Sequence, residues 1–338
     1  MTSVKSAANP LPFLLEEERQ QDHQATEAIF LTFNVDLGFF EVKALGACRS
    51  AGARVRVVAD AGMWNPDPYA TKLAGSEYHV GLANVAGAFH PKVVILAGPR
   101  RAIAAIGSGN LTLAGWQYNQ ETWTILTGDK RQCPAAFAEL ADALEGLATI
   151  IRDRFAAKAL IRAGNVLKGL LADCEQIVDT GHRILTTLTG PIVDQLPSME
   201  VDQLWMHAPF HDLAARGVRG LLEVLHPRRV TIMVQPGQTV MDPRSLREVL
   251  ERSGADWEMV ADAEDRYRHG KLIEWANIDG NRHALTGSAN LSHAALLSTV
   301  ADGNLEICVL SPIAESLPRF QARRDHRTAE DHHRCARR

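Results

Sequence analysis

Short apolar runs alternate with amphipathic segments along the chain, and the alternation occurs twice. In the first half, an apolar run, a helix-like segment and a second apolar run occupy 28–33, 40–50 and 55–58. In the second half, the same order occupies 204–206, 213–225 and 230–234. Asp242 and Pro243 then predict the start of a helix that Gly254 ends. Alternating strands and helices favour an α/β fold, so we predict two tandem α/β sandwich lobes with largely parallel or mixed sheets.

The segment between the halves has its own apolar pattern. Leucines and other apolar residues recur at helical spacing after Pro134 and again from Leu160 to Ile177, which predicts two helices. We expect them to pack on the first lobe, and the alternative is a helix that binds a partner protein. The predicted organisation is an N-terminal extension, a first lobe, a helical connector, a second lobe and a polar tail, at 1–25, 26–133, 134–180, 181–322 and 323–338.

Composition is that of an ordinary globular protein. The 338 residues are 46% hydrophobic and 22% charged, with a formal net charge of −4, which argues against a surface that is basic throughout but allows a local basic cleft. The five cysteines have no metal-ligand spacing and favour reduced thiols. We find no secretory signal and no apolar run of membrane-spanning length, so we expect a cytoplasmic protein without membrane contact. The tail carries His326, His332, His333 and Cys335, for which a solvated surface is favoured over a metal site.

One motif carries the chemistry, and it too occurs twice. His90-Pro-Lys92 is followed by Gly-Ser-Gly-Asn over 107–110, and His269-Gly-Lys271 is followed by Gly-Ser-Ala-Asn over 287–290. Residues i and i+2 of a strand share a face, so each His-x-Lys is expected to present its ring and ammonium together. Two copies at nearly equal spacing indicate two halves of one active site.

These residue types suit phosphodiester cleavage. One imidazole can attack phosphorus while a second protonates the departing oxygen, and ammonium and carboxamide donors stabilise the developing charge. The predicted catalytic residues are His90, Lys92, Asn110, His269, Lys271 and Asn290. We expect the hydroxyl groups of Ser108 and Ser288 to face the same anion. The set contains no acidic metal cluster, so no metal or other cofactor is predicted.

At these residues the chain resembles the phospholipase D superfamily, whose signature is His-x-Lys, usually an Asp, and then Gly-Ser-x-Asn. The positions five residues after each lysine are Ala97 and Ala276, so the Asp is missing, as in the tyrosyl-DNA phosphodiesterase and endonuclease branches. The resemblance implies two lobes related by pseudo-twofold symmetry, with the site at their interface. It also implies that Glu121 and Glu306, each ahead of an apolar run, accept hydrogen bonds from the catalytic imidazoles, and that His90 is the nucleophile.

The predicted function is a metal-independent phosphodiesterase, most simply a nuclease that cleaves DNA or RNA through a phosphohistidine. Some relatives accompany helicases or translocases in bacterial restriction and phage defence. The resemblance therefore implies a helicase or translocase as a candidate partner of this chain. A phospholipid-cleaving or transphosphatidylating enzyme is the alternative, and a nucleic-acid-binding scaffold with an inactive site is the second. Both motifs lie in one chain, so a monomer can form the site, and the oligomeric state stays open.

Substrate contacts are less well determined by the sequence. Asn34 and His207 lie at the ends of the first predicted strands of their halves, where strand ends deliver residues to a site. Arg266 and Arg268 precede His269 and are candidates for gripping flanking phosphates, although solvated turn arginines are an equal alternative. The sequence does not distinguish DNA from RNA or endo- from exonucleolytic cleavage.

Overall fold

The computed structural model describes residues 3–6, 9–14, 24–262 and 265–317. The predicted polar tail and its three histidines and cysteine lie outside these residues. The first sheet has the strand order β1-β7-β6-β5-β2-β3-β4. Its strands are β1 (Ser3–Ser6), β2 (Glu27–Thr32), β3 (Arg54–Asp60), β4 (His79–Ala83), β5 (Val93–Ala97), β6 (Arg101–Gly107) and β7 (Thr122–Asp129).

A short parallel pair, β8 (Gln132–Pro134) and β9 (Gln176–Val178), separates the two large sheets along the chain. The second large sheet has the order β10-β16-β15-β14-β11-β12-β13. Its strands are β10 (Arg183–Thr186), β11 (Gln203–His207), β12 (Arg229–Val234), β13 (Asp256–Ala261), β14 (Leu272–Ala276), β15 (Arg282–Gly287) and β16 (Ile307–Ile313).

The two large sheets repeat one topology. In the first, β2, β3 and β4 are parallel neighbours and the other pairs are antiparallel. In the second, β11, β12 and β13 are parallel and the others antiparallel, so every strand has a counterpart with the same neighbours. The prediction of two mixed α/β lobes is therefore confirmed.

Helices flank both sheets. They are α1 (Leu37–Lys43), α2 (Leu45–Ser50), α3 (Ala136–Ile150), α4 (Arg154–Asp173), α5 (Arg216–Leu225), α6 (Pro243–Ser253) and α7 (His293–Leu296). Asp242 caps α6 by accepting a hydrogen bond from the backbone N–H of Ser245 at 3.1 Å, and Gly254 ends the helix at φ +74°, as predicted. Among the described residues, no helix is both long and apolar enough to cross a bilayer.

The two helices predicted after Pro134 are α3 and α4, and their apolar faces cover the first sheet. Leu144 and Leu160 belong to one buried cluster with Ile95 of β5. The same cluster includes Leu305 and Val309 of the second lobe, so the core is continuous across the junction. Burial of this apolar surface stabilises the lobes together as well as separately.

Strands of the two lobes also meet directly. Phe89 bridges to Leu305, and Gln120 bridges to Arg268. In each bridge, the residue before a motif histidine of one lobe pairs with the residue before Glu306 or Glu121 of the other lobe. The Thr124 and Thr286 hydroxyl groups lie 2.8 Å apart in the buried interface. This reciprocal contact brings the segment before each His-x-Lys against the other lobe.

Candidate active site

Each His-x-Lys lies just before a central strand rather than inside it. His90 and Lys92 precede β5, and His269 and Lys271 precede β14, so the prediction that the motifs form part of the strands is corrected. The physical reason is backbone pairing across the junction. The His90 N–H donates to the carbonyl of Leu305 at 2.9 Å, and the His269 N–H donates to the carbonyl of Gln120 at 3.0 Å.

Each imidazole is held by a carboxylate of the opposite lobe. His90 Nδ1 lies 2.9 Å from Glu306 Oε2, and His269 Nδ1 lies 2.9 Å from Glu121 Oε1. Burial alone would raise the pKa values of Glu121 and Glu306, but the paired histidines, lysines and serines outweigh it and lower both. An ionised carboxylate only accepts hydrogen bonds, so Nδ1 carries the proton and the Nε2 lone pair is available for chemistry.

Both lysines are buried at this junction. Lys92 is 1% exposed and Lys271 2% exposed, and each ammonium donates to the carbonyl of its own motif histidine at 2.7 Å. Burial lowers the pKa of Lys92 well below its usual value, helped by Lys271, and lowers the pKa of Lys271 to about 8. Burial disfavours the charged forms of both lysines, so a bound anion would stabilise them.

The charges of the two motifs influence each other across the junction. Burial lowers the pKa of His90 to about 4, with Lys92 and then Lys271 of the other lobe also lowering it. Burial likewise lowers the pKa of His269, as do Lys271 and the opposite lobe's Lys92. Both shifts favour the neutral form of the imidazoles.

The asparagines complete the two halves. Asn110 Oδ1 accepts from the backbone N–H of Asn34 at 3.4 Å, which leaves its amide NH₂ for other contacts. Asn290 is 9% exposed, and its buried Oδ1 has no hydrogen-bond partner among the described residues. A carboxamide also carries two N–H donors, which are the groups that a phosphoryl oxygen can use.

The glycine of each Gly-Ser-x-Asn allows close approach to the strand that carries the glutamate. A Cβ on Gly107 would lie 2.4 Å from the carbonyl oxygen of Thr122. Gly287 has φ +133°, and a Cβ there would lie 2.6 Å from the carbonyl oxygen of Ile307. The absence of a side chain is what lets the following serine reach Glu121 or Glu306.

Contrary to our expectation, the serine hydroxyls donate to the glutamates and not towards a phosphate bound between the motifs. Ser108 Oγ donates to Glu121 Oε2 at 2.5 Å, and Ser288 Oγ donates to Glu306 Oε2. Each Oγ also accepts the backbone N–H of the residue that follows the glutamate. A hydroxyl next to an ionised carboxylate gains more from donating to it than from facing the cleft, so these serines fix the glutamates.

The predicted substrate-binding residues contact protein groups. Arg266 donates from Nε to the carbonyl of Tyr118 at 2.9 Å, and Arg268 forms an ion pair with Asp262 at 2.6 Å. The two ring nitrogens of His207 lie 3.2 Å from the carbonyls of Met233 and Arg268, and burial lowers the pKa of His207 to about 4. His207 and Asn34 thus position motif segments, and a direct contact of these residues with substrate stays a prediction.

Two pairs of residues that position the glutamates and the motif histidines were not predicted from the sequence. Asn119 Nδ2 donates to Glu121 Oε1 at 3.2 Å, and Asn304 Nδ2 donates to Glu306 Oε1 at 3.0 Å. The repeated Asn-x-Glu was the available signal. Asp60 Oδ2 accepts the backbone N–H of Phe89, and Gln235 Oε1 accepts that of Arg268, both immediately before a motif histidine. No shared residue type links this second pair in the sequence.

Aromatic rings lie beside both histidines. The Phe33 ring centroid is 5.0 Å from that of His90, and the Lys92 ammonium lies 5.4 Å from the centroid of Phe33. The Tyr267 and Phe210 centroids lie 5.8 and 6.4 Å from that of His269. Across residues 24–262 and 265–317, no three His, Cys, Asp or Glu side chains are grouped as metal ligands would be.

Comparison with known proteins gives a fold but no sequence family. No protein-family model and no curated protein sequence matches the chain. Among solved structures, yeast tyrosyl-DNA phosphodiesterase is similar with a TM-score of 0.60 at 11% identity, over 92% of this chain and 90% of that one. A histidine-to-alanine mutant of the yeast enzyme is similar with a TM-score of 0.60 at 10% identity, over 94% and 91% of the two chains. The fold expected from the resemblance to the phospholipase D superfamily is thereby confirmed: the chain has the two-sheet fold of a tyrosyl-DNA phosphodiesterase.

Proposed function

We propose that this chain is a phosphodiesterase that cleaves nucleic-acid phosphodiester bonds without metal, through a phosphohistidine. The observation that carries the proposal is the exchange of carboxylates between lobes, His90 with Glu306 and His269 with Glu121. It gives two oriented imidazoles beside two buried ammonium groups. A phosphate bound beside the lysines would favour their charged forms.

The first step is attack on phosphorus. His90 Nε2 forms a bond to phosphorus, and the bond from phosphorus to the leaving oxygen breaks. His90 is neutral before attack, and Glu306 stabilises the positive charge that develops on its ring. Lys92, Lys271, Asn110 and Asn290 donate to the phosphoryl oxygens as charge accumulates.

The second histidine, His269, acts as the general acid and then as the general base. The phosphate anion raises the pKa of His269, so that Nε2 takes up a proton from solvent when substrate binds, and Nε2 then gives this proton to the leaving oxygen. Lys271 Nζ lies 3.0 Å from His269 Nε2, so a proton can be shared at this nitrogen. In the second step His269 takes a proton from water, the water oxygen bonds to phosphorus, and the bond to His90 breaks. The assignment of His269 as the acid and His90 as the nucleophile rests on the motif resemblance, in which the N-terminal motif supplies the nucleophile.

The substrate proposal has narrower support. The yeast enzyme of similar fold is named for tyrosyl-DNA, which favours nucleic acid over phospholipid as the substrate class. Action as a nuclease in the bacterial cytoplasm, in restriction or phage defence beside a helicase or translocase, rests on the motif resemblance alone. A phospholipid-cleaving activity is the alternative that the same experiment tests.

The test is cleavage in EDTA of labelled single- and double-stranded DNA, RNA and a short-chain phosphatidylcholine. We expect nucleic-acid cleavage that vanadate or tungstate inhibits. His90→Ala should abolish cleavage and adduct formation, whereas His269→Ala should retain partial activity on bis(p-nitrophenyl) phosphate, whose leaving group needs no proton, and should trap a phosphohistidine. Strict dependence on added Mg²⁺ or Mn²⁺ would refute the mechanism, and an adduct on His269 would exchange the two roles.

A further inference from the structure

The two sides of the site differ in surface chemistry although their catalytic residues match. Val35 bridges to Leu111 and His211 bridges to Leu291, and each leucine follows a motif asparagine. The residues before these bridges, Asn34 and Phe210, are therefore equivalent. The first lobe presents a carboxamide where the second presents a phenyl ring.

The Phe210 ring is open to solvent beside His269. Phe210 is 41% exposed, and the centroid of its ring is 6.4 Å from the centroid of the His269 ring. Phe210 bridges to Val240, which is 50% exposed, so its backbone is anchored while its ring is not covered. On the other side, Phe33 is only partly exposed, and its ring is already in contact with His90 and the Lys92 ammonium.

The backbone at a second exposed aromatic residue, Tyr118, is bonded to the segment before His269. Tyr118 is 65% exposed, while the Arg266 guanidinium binds the carbonyls of Gln117, Tyr118 and Asn119 from the other lobe at 3.2, 2.9 and 3.1 Å. The backbone that carries Tyr118 is thus tied to the segment leading to His269. An exposed ring on a fixed backbone is a platform with little ordering cost on binding.

We propose that Phe210 and Tyr118 stack against nucleobases of the leaving-group segment of a single-stranded nucleic acid. The inference rests on the proposed function, because His269 as the acid places the leaving group on this side. Successive bases of a flexible strand can meet two rings, whereas a base-paired duplex presents only its terminal faces to stacking. The platform specifies strandedness and the side of the scissile bond without reading sequence.

The test uses a short oligonucleotide with one natural phosphodiester among methylphosphonate links, with an abasic residue placed on either side of that bond. For the unmodified protein, an abasic residue on the leaving side should lower kcat/KM about tenfold, and one on the other side should matter less. Phe210→Ala should lower kcat/KM on the complete substrate about tenfold and should not respond further to the leaving-side abasic residue. Phe210→Trp should retain activity.

Controls separate the inference from folding and from the proposed function. Phe155→Ala removes a phenyl group that is 53% exposed and packs on His79 at the start of β4, and it should change nothing. Phe210→Leu retains apolar contact without a ring and carries the test if Phe210→Ala unfolds. Equal kcat/KM for Phe210→Leu and the unmodified protein overturns the inference alone. Equal loss on complete and abasic substrates also overturns it, because the ring would then act through its neighbour His269 and not on a base. Absence of any phosphodiester cleavage overturns the proposed function with it.

Discussion

Glu306→Gln should remove the nucleophile without moving it, because of what surrounds this carboxylate. Glu306 Oε1 accepts from Asn304 Nδ2 at 3.0 Å, and Oε2 faces His90 Nδ1 at 2.9 Å. A glutamine will place its carbonyl oxygen on the Asn304 side, where a donor already points. Its NH₂ then faces His90 Nδ1, and Ser288 Oγ can turn to the Ile307 carbonyl at 3.2 Å. The amide donates to Nδ1, so the ring proton moves to Nε2 and the attacking lone pair is lost.

The size of the effect follows from the cost of restoring the other tautomer. Flipping the amide places two NH₂ groups against each other, which costs about 1–3 kcal/mol for a buried unsatisfied donor. Loss of the charge-assisted bond between the imidazole and the carboxylate removes roughly another 1.5–3 kcal/mol of stabilisation from the developing imidazolium. The sum of about 2.5–6 kcal/mol corresponds to a rate reduction on the order of 10²- to 10⁴-fold.

Single-turnover formation of the phosphohistidine from bis(p-nitrophenyl) phosphate is the appropriate assay, since it isolates attack. Asn304→Asp added to Glu306→Gln provides a compensating variant. The new aspartate retains an acceptor for the Ala88 N–H, which Asn304 Oδ1 binds at 3.0 Å, and accepts from the glutamine NH₂. The glutamine oxygen then faces His90, and we expect at least tenfold recovery of the rate. A Glu306→Gln rate within threefold of the unmodified protein, with unchanged thermal stability, would refute the tautomer argument.

Three further predictions concern charge, the lobe junction and the motif glycine. Tungstate should bind more weakly above about pH 8, because Lys271 of the free protein loses its proton there. Calorimetry in buffers of different ionisation enthalpy should therefore detect proton uptake on binding. A binding enthalpy that is independent of the buffer from pH 7 to 9 would contradict this. Thr286→Val should lower the free energy of unfolding in urea by about 1–2 kcal/mol, because it leaves the Thr124 hydroxyl unpaired. Adding Thr124→Val should recover most of the lost free energy. Additive losses from the two substitutions would argue against the pair. Gly287→Ala should cost about 2–3 kcal/mol at φ +133°, whereas Gly46→Ala, which meets no atom within 4 Å in α2, should not destabilise the protein.

The motif residues could be predicted from the sequence because their chemistry is local. His90 with Lys92, and His269 with Lys271, occur two residues apart, and each pair precedes an apolar run that becomes a buried central strand. The repeat of the whole motif then identified two lobes. Each of these inferences needs only short-range spacing and the alternation of apolar segments.

The pairing across the junction could not be predicted in this way. Glu306 is 216 residues from His90, and nothing in the local pattern shows whether Glu121 serves His90 or His269. The assignment depends on how the lobes dock. The serine orientation failed for a related reason, since the hydroxyl faces whichever acceptor the neighbouring strand brings near, and that acceptor is an ionised glutamate.

Docking of the lobes and formation of the site are consequently one event. Glu306 orients the His90 ring while the Leu305 carbonyl holds its backbone, and Glu121 and Gln120 do the same for His269. Neither half contains both an imidazole and the carboxylate that selects its tautomer. A displacement of one lobe would therefore disturb the proposed nucleophile and the proposed acid together, and the apolar cluster that joins Ile95 to Val309 stabilises the candidate site as well as the fold. The proposed catalytic groups of the two halves match closely. A substrate can therefore be oriented only by differences between the two sides, such as the ring of Phe210 and the carboxamide of Asn34.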